Sequence, residues 1–137
     1  MALLGLDFGE KRIGMAVSDG LFITAQVAGK IEYEGERGWE EPLKAAVQKY
    51  SAHKIVVGLP IRMDGKDTAQ TTKTREFIEN VKAIVSIPVD SYDERFTSVS
   101  AQRTLISAGV NRKKRKQVID GLAAQIMLQT YMNSGKR

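Results

Sequence analysis

The chain has 137 residues, which fits one compact domain over residues 1–137, and its 42% hydrophobic and 27% charged residues exclude a disordered chain. Its 21 Lys and Arg against 16 Asp and Glu leave a net charge of +5, which favours a polyanionic partner. The absence of cysteine excludes disulfides, thiolate metal sites and thiol nucleophiles, so any metal is expected to take oxygen ligands.

The N-terminal part is predicted to form three antiparallel strands. Residues 2–8 read as a strand, Gly9-Glu10-Lys11 as a turn, and residues 12–18 as a second strand with alternating apolar side chains. A third strand is expected over residues 23–31, which completes a meander.

The rest of the chain alternates helices and strands. Apolar spacing, caps and breakers predict a helix over residues 39–51, a strand over 54–59, a helix over 68–83, a strand over 87–92, and helices over 97–108 and 115–132. This order predicts an α/β protein with a mixed five-stranded sheet, antiparallel first and parallel after, flanked by helices. It is the arrangement of the ribonuclease H-like folds.

Two further features narrow the class of protein. The N-terminus MALLGLDFG has neither a basic region nor a small-residue cleavage site, and no apolar run approaches the length of a bilayer span, so we expect a cytoplasmic protein. The only histidine, His53, just precedes an apolar strand and cannot form a His-rich zinc site alone. We interpret His53 as structural.

Two acids stand in apolar surroundings. Asp7 ends a strand that contains Leu4 and Leu6, and burying an unpaired charge costs several kcal/mol. A cation should therefore meet it, unless Asp7 caps the following turn or pairs with Arg12. On a helical projection Ala124, Met127 and Tyr131 lie close to the direction of Asp120, and Gln125 and Gln129 lie roughly opposite. Asp120 is therefore expected to face the sheet.

A third acidic position follows the last predicted strand, in the run Asp93-Glu94-Arg95. Ligands bind at the carboxyl ends of strands in open α/β sheets, and either acid could point inward because the two lie on opposite strand faces. With Asp7 and Asp120, an acid here would suit two magnesium ions about 4 Å apart, which hydrolyse phosphodiesters without a protein nucleophile.

A basic run precedes Asp120. Five consecutive cations, Arg112, Lys113, Lys114, Arg115 and Lys116, are expected to bind phosphates independently of sequence. The alternative is a solvated loop.

These residues lie in motifs that together resemble the YqgF family, also called RuvX. The motifs are LDFGEKRIGMAVSD at 6–19, VVGLPIRMDG at 56–65, DERFTSVSA at 93–101 and DGLAAQIMLQTY at 120–131. They cover nearly the whole chain in the family's order. Four spaced motifs are far more specific than any one of them.

The resemblance implies a ribonuclease H-like nuclease that depends on Mg²⁺ or Mn²⁺ and matures the 5′ end of pre-16S ribosomal RNA. It implies that Asp7, Glu94 and Asp120 are the metal ligands and catalytic residues, choosing Glu94 over Asp93. Arg12 and Arg95, which lie in the same motifs, are expected to join the basic run in binding nucleic acid.

Three alternatives stay open at this point. The family has also been described as resolvases of Holliday junctions, so branched DNA is a second candidate substrate. A non-catalytic nucleic-acid-binding module would use the basic run alone. The first motif is similar to the phosphate loop of actin-like ATPases and sugar kinases, but those close two such domains over a nucleotide.

Overall fold

The chain forms a five-stranded mixed sheet with helices on both faces. The computed structural model describes residues 1–35, 38–96 and 112–135, with the backbone alone at Phe96 and residues 112–120. The elements are β1 (Ala2–Phe8), β2 (Arg12–Ser18), β3 (Ala25–Glu32), α1 (Glu40–Lys49), β4 (Ala52–Leu59), α2 (Ala69–Ile84), β5 (Val89–Asp93), a 3₁₀ turn (Glu94–Phe96) and α3 (Arg112–Asn133).

The pairing of the strands confirms the predicted arrangement. Their order is β3-β2-β1-β4-β5. The pairs β1–β2 and β2–β3 are antiparallel, whereas β1–β4 and β4–β5 are parallel. The carboxyl ends of β1, β4 and β5 therefore lie along one edge of the sheet.

Some predicted boundaries were wrong. Strand β3 begins at Ala25 rather than residue 23, because Asp19 Oδ1 accepts the backbone N–H groups of Ile23 and Thr24 at 2.7 and 3.0 Å and holds them in a loop. The last helix begins at Arg112 rather than near residue 115. The helix predicted over 97–108 lies outside the described residues.

Alternating side chains of β1 enter two different cores. Leu4 and Leu6 pack with residues of α1 and α2, whereas Leu3 packs with residues of α3. Ala124, Met127 and Tyr131 of α3 are fully buried against the sheet, as the helical projection predicted. Asp7 lies on the same strand face as Leu3, and hence on the side of α3.

Close packing and side-chain hydrogen bonds hold α3 on the sheet. A Cβ atom at Gly121 would overlap the Val27 side chain of β3 and lie 3.1 Å from the carbonyl oxygen of Met15 in β2, so the helix packs closely on both strands. Gln129 accepts the N–H of Ala25 at 3.0 Å and donates to the carbonyl of Ile23 at 2.9 Å. Gln125 donates to the carbonyl of Ala25 at 3.0 Å. Both glutamines therefore bind the start of the edge strand β3.

No helix in the described ranges combines the length and the apolar character that crossing a bilayer would require.

Candidate active site

Asp7 and Glu94 come together at the carboxyl edge of the parallel strands. Asp7 is the sixth residue of β1, opposite Gly14 of β2, and Glu94 begins the turn after β5. Strand β4 separates β1 from β5. For these two acids to interact, a side chain must reach across β4.

A glycine of β4 provides the space between them. Gly58 follows the buried residues Val56 and Val57, and a Cβ atom built on it would lie 3.1 Å from Cδ and 3.3 Å from Cγ of Glu94. The Glu94 side chain therefore lies directly over Gly58 on the α3 side of the sheet. Although β4 carries no acid at this end, its glycine leaves space for the side chain of Glu94, which follows β5.

Burial disfavours the charged forms of both acids, and neighbouring negative charges add to this effect at Glu94. Burial raises the pKa of Asp7 above its ordinary value. Burial, followed by the negative charges of Asp7 and Asp93, raises the pKa of Glu94 to about 7. Within the described part of the chain, neither side chain has a hydrogen bond or an ion pair. The cation that we expected beside Asp7 is therefore not supplied by a described residue.

Asp93 has a different environment from its neighbour. Arg95 donates from Nε and Nη2 to Asp93 Oδ2 at 2.9 and 2.6 Å, and its backbone N–H donates to Oδ1 at 2.9 Å. This guanidinium lowers the pKa of the Asp93 carboxyl. Of the two acids that periodicity left open, Asp93 is therefore neutralised by Arg95, and Glu94 faces Asp7.

The third predicted ligand is placed only through its backbone. Asp120 lies in α3 directly before Gly121, where a Cβ atom would lie 3.1 Å from the Met15 carbonyl, and Met15 pairs with Leu6 beside Asp7. The turn of α3 that contains Asp120 thus lies near the carboxylate pair, while its side chain is outside the described atoms. Among the described side chains, no group of three or more metal-ligating residues occurs.

Two of the predicted nucleic-acid-binding cations, Arg12 and Arg95, lie at this end of the sheet. Arg12 is exposed at the start of β2, and Arg95 lies in its ion pair with Asp93. The backbone of residues 112–116 forms the first turn of α3 and not a loop, with side chains outside the described part. His53 lies at the opposite end of the sheet, with its ring 5.3 Å from that of Phe22.

Sequence reasoning assigned no role to Gly58. The signal was a glycine within the otherwise apolar run KIVVGL, a pattern that often marks close approach of another group to the backbone. What approaches could not be read from the strand itself, because Glu94 lies 36 residues further along the chain.

Comparison with known proteins identifies the family. A family model described as RuvX, Holliday junction resolvase, matches residues 1–134. The chain belongs to the RuvX family. A RuvX relative from Halothermothrix orenii, named "Putative pre-16S rRNA nuclease", is 44% identical over 133 residues, which cover 97% of this chain and 95% of that protein. One of the same name from Clostridioides difficile is 46% identical over 131 residues, covering 96% and 93%.

Solved structures of low sequence identity share the fold. T. thermophilus RuvC in complex with a Holliday junction substrate superposes with a TM-score of 0.56 at 14% identity, over 98% of this chain and 96% of that one. The Fowlpox virus resolvase in complex with Holliday junction DNA gives 0.59 at 15% identity, over 100% of both chains. The ribonuclease H-like fold expected from the order of elements is confirmed.

Proposed function

We propose that this RuvX-family chain is a single-domain, metal-dependent nuclease that hydrolyses phosphodiester bonds while maturing the 5′ end of pre-16S ribosomal RNA. The proximity of Asp7 and Glu94 carries the proposal. Both are part-buried carboxylates with raised pKa values, and neither has a hydrogen bond or an ion pair with a described residue. The names of the relatives support the substrate. Such a role places the protein in the cytoplasm with its RNA.

The carboxylate pair fits divalent metal ions. The two neighbouring carboxylates have raised pKa values, and no cation of the described residues pairs with them. Their hard oxygen atoms are the donors that Mg²⁺ and Mn²⁺ prefer. Asp7, Glu94 and Asp120 would hold these ions. When bound, the ions activate the attacking water and stabilise the leaving oxygen of the phosphodiester.

The protein's own residues prepare this site. Partial burial keeps bulk water away from Asp7 and Glu94, which strengthens their attraction for a cation. Gly58 leaves the space in which the Glu94 carboxylate lies. Arg95 holds Asp93 by several hydrogen bonds and so orients the turn that presents Glu94, which makes Arg95 a positioning residue.

Binding of the polyanionic substrate is assigned to cations near this edge. Arg12 and the run Arg112–Lys116 would neutralise phosphates of the substrate. A net charge of +5 supports a nucleic-acid partner, because phosphate contacts account for most of the sequence-independent affinity of such proteins.

Cleavage of a short RNA with Mg²⁺ or Mn²⁺ tests the proposal. Asp7→Asn and Glu94→Gln should each slow cleavage at least about 100-fold, because even residues that only support metal ligands cost 10- to 100-fold when replaced. Glu79→Gln, which changes an exposed acid of α2, is the matched control and should cut like the parent chain. Unchanged cleavage by Asp7→Asn would refute the assignment of the site.

A second candidate substrate follows from the description of the family model, which names Holliday junction resolvases. Matched RNA and four-way-junction DNA should be offered to the same preparation, with Asp120→Asn as the inactive control. We expect faster cleavage of RNA. A preference for the junction would make branched DNA the substrate, and binding of either without metal-dependent cleavage would indicate a non-catalytic module.

A further inference from the structure

The loop between β4 and α2, residues 60–67, is an ordered projection. The N–H of Gly65 donates to the carbonyl of Arg62 at 2.8 Å, and the N–H of Arg62 donates to the carbonyl of Lys66 at 3.2 Å. Asp64 accepts the N–H of Lys66 at 3.0 Å, and Gly65 adopts a φ of +85°. This turn therefore holds Met63 at its tip.

The loop stands beside the carboxylate pair. It continues directly from the end of β4 that contains Gly58, and the hydroxyl of Thr71 donates to the carbonyl of Pro60 at its base. Arg95, which follows Glu94, has Nη1 3.4 Å from the position of a Cβ atom on Gly65. Met63 lies five positions after Gly58, so their Cα atoms lie at most about 18 Å apart.

Met63 is exposed where an apolar side chain has no structural reason to be. Its exposure is 84%, and the other exposed large hydrophobic residues in the described ranges are Met1, Leu21 and Ile23. Those three precede β1 or lie between β2 and β3, at the sheet's opposite end. Among the described residues, Met63 is thus the one exposed large hydrophobic residue at the active-site end of the sheet.

Two cations flank Met63 on the same loop. Arg62 has a side chain that is 58% exposed and pairs with Asp64 at 2.8 Å. Lys66 is exposed and has no ion pair with any described residue. The two acids of the loop are paired, Asp64 with Arg62 and Asp67 with Arg75 of α2 at 3.0 Å. Among the described residues, the charge of Lys66 therefore stays uncompensated beside the apolar tip. Such a surface complements a nucleotide, which joins a flat apolar base to charged phosphates.

We propose that Met63 packs against an unpaired base of the RNA substrate, and that Arg62 and Lys66 bind the adjoining phosphates. This inference rests on the proposed nuclease function. A flexible, polarisable thioether packs well on aromatic faces, and methionine is among the apolar residues that wedge between bases. Because the Cα atoms of Met63 and Gly58 lie at most about 18 Å apart, or about five stacked steps of 3.4 Å, the base lies within about five nucleotides of the scissile bond.

The loop thereby gives the site a preference for unpaired RNA. Bases within an A-form helix are stacked on each other, and its deep major groove cannot be read by side chains. Met63 can reach a base face only where stacking is interrupted, whereas Arg62 and Lys66 meet phosphates in either form. Met63 is therefore a specificity-determining residue.

Binding in EDTA by fluorescence anisotropy tests this inference with the full chain. One labelled RNA strand is titrated alone and as a perfect duplex. Met63→Ala should weaken binding of the single strand about two- to tenfold and leave duplex binding unchanged. Leu21→Ala, which truncates an exposed side chain at the opposite end of the sheet, should change neither. Lys66→Gln should weaken both and reduce the salt slope by about 0.7 for the single strand.

The possible failures can be told apart. An equal loss for single strand and duplex in Met63→Ala, or no loss, would overturn the base contact, and an unchanged salt slope in Lys66→Gln would overturn the phosphate contact. Neither result depends on bound metal. Metal-dependent cleavage that survives Asp7→Asn would instead overturn the proposed active site.

Discussion

Replacing Glu94 with Gln should stabilise the metal-free protein at alkaline pH. Folding raises the pKa of Glu94 from 4.5 to about 7, so the folded protein holds this proton more tightly than the unfolded chain does. The free energy of unfolding therefore falls as the pH rises from about 4.5 to about 7, and this contribution is constant above that. The raised pKa of Asp7 acts in the same direction.

The magnitude follows from the two pKa values. At 1.36 kcal/mol per pH unit, the raised pKa of Glu94 lowers the free energy of unfolding by about 3 kcal/mol at pH 8 and by under about 1 kcal/mol at pH 5. Glu94→Gln has the same shape and no charge, so it should avoid this cost. For a chain of this size the gain at pH 8 corresponds to a melting temperature higher by on the order of 10 °C.

Thermal unfolding in EDTA at pH 5 and pH 8 measures this effect. Glu79→Gln is the control, because the exposed carboxylate that it removes should change stability by less than about 0.5 kcal/mol at either pH. A Glu94→Gln variant that is no more stable than the parent at pH 8, or equally stabilised at both pH values, would refute the account of Glu94.

Adding Mg²⁺ extends the same experiment to the metal site. A ligand that binds only the folded state raises stability by about 2.7 kcal/mol at 100 times its dissociation constant. Parent protein should therefore gain stability with Mg²⁺ at pH 8, whereas Glu94→Gln should gain less because a proposed ligand is missing. Equal gains would show that Glu94 does not contribute to metal binding.

Three further substitutions test the packing and charge around the site. Gly58→Ala should displace Glu94 and slow cleavage of RNA at least about tenfold, since Cδ of Glu94 lies 3.1 Å from the added atom. Circular dichroism should show that the chain stays folded. Parent-like cleavage would show that Glu94 moves aside without loss of activity. Gly121→Ser should lower the free energy of unfolding in urea by about 1–3 kcal/mol, because its Cβ would overlap the Val27 side chain and lie 3.1 Å from the Met15 carbonyl. An unchanged midpoint would mean that α3 shifts without cost. Exchanging the cations of residues 112–116 for Gln should reduce the salt slope of RNA binding by up to about 3.5, and a constant slope would exclude this run from the interface.

Much of the fold could be predicted because hydrophobic periodicity is a local property. Strands β1 and β2 have the predicted bounds, since alternation continues until a turn interrupts it. Ala124, Met127 and Tyr131 were placed on the buried face of the last helix by spacing alone. Gln125 and Gln129 were not expected to bind the sheet, because their partners in β3 lie about a hundred residues away.

For the site, the residues themselves indicated acids on separate elements, and the resemblance to RuvX selected Glu94. Periodicity could not choose between Asp93 and Glu94, because regular alternation stops where β5 passes into a 3₁₀ turn. Which acid turns inward depends on the space over Gly58, a partner distant in sequence, and on the ion pair by which Arg95 holds Asp93.

The local pattern of apolar, polar and turn-forming residues thus determined the elements, their order and the candidate acids, since each of these depends on near neighbours in the chain. The tertiary structure decided which acid meets Asp7, why β4 carries a glycine there, and where Met63 projects. Those features depend on strands and loops that become neighbours only when the sheet has formed.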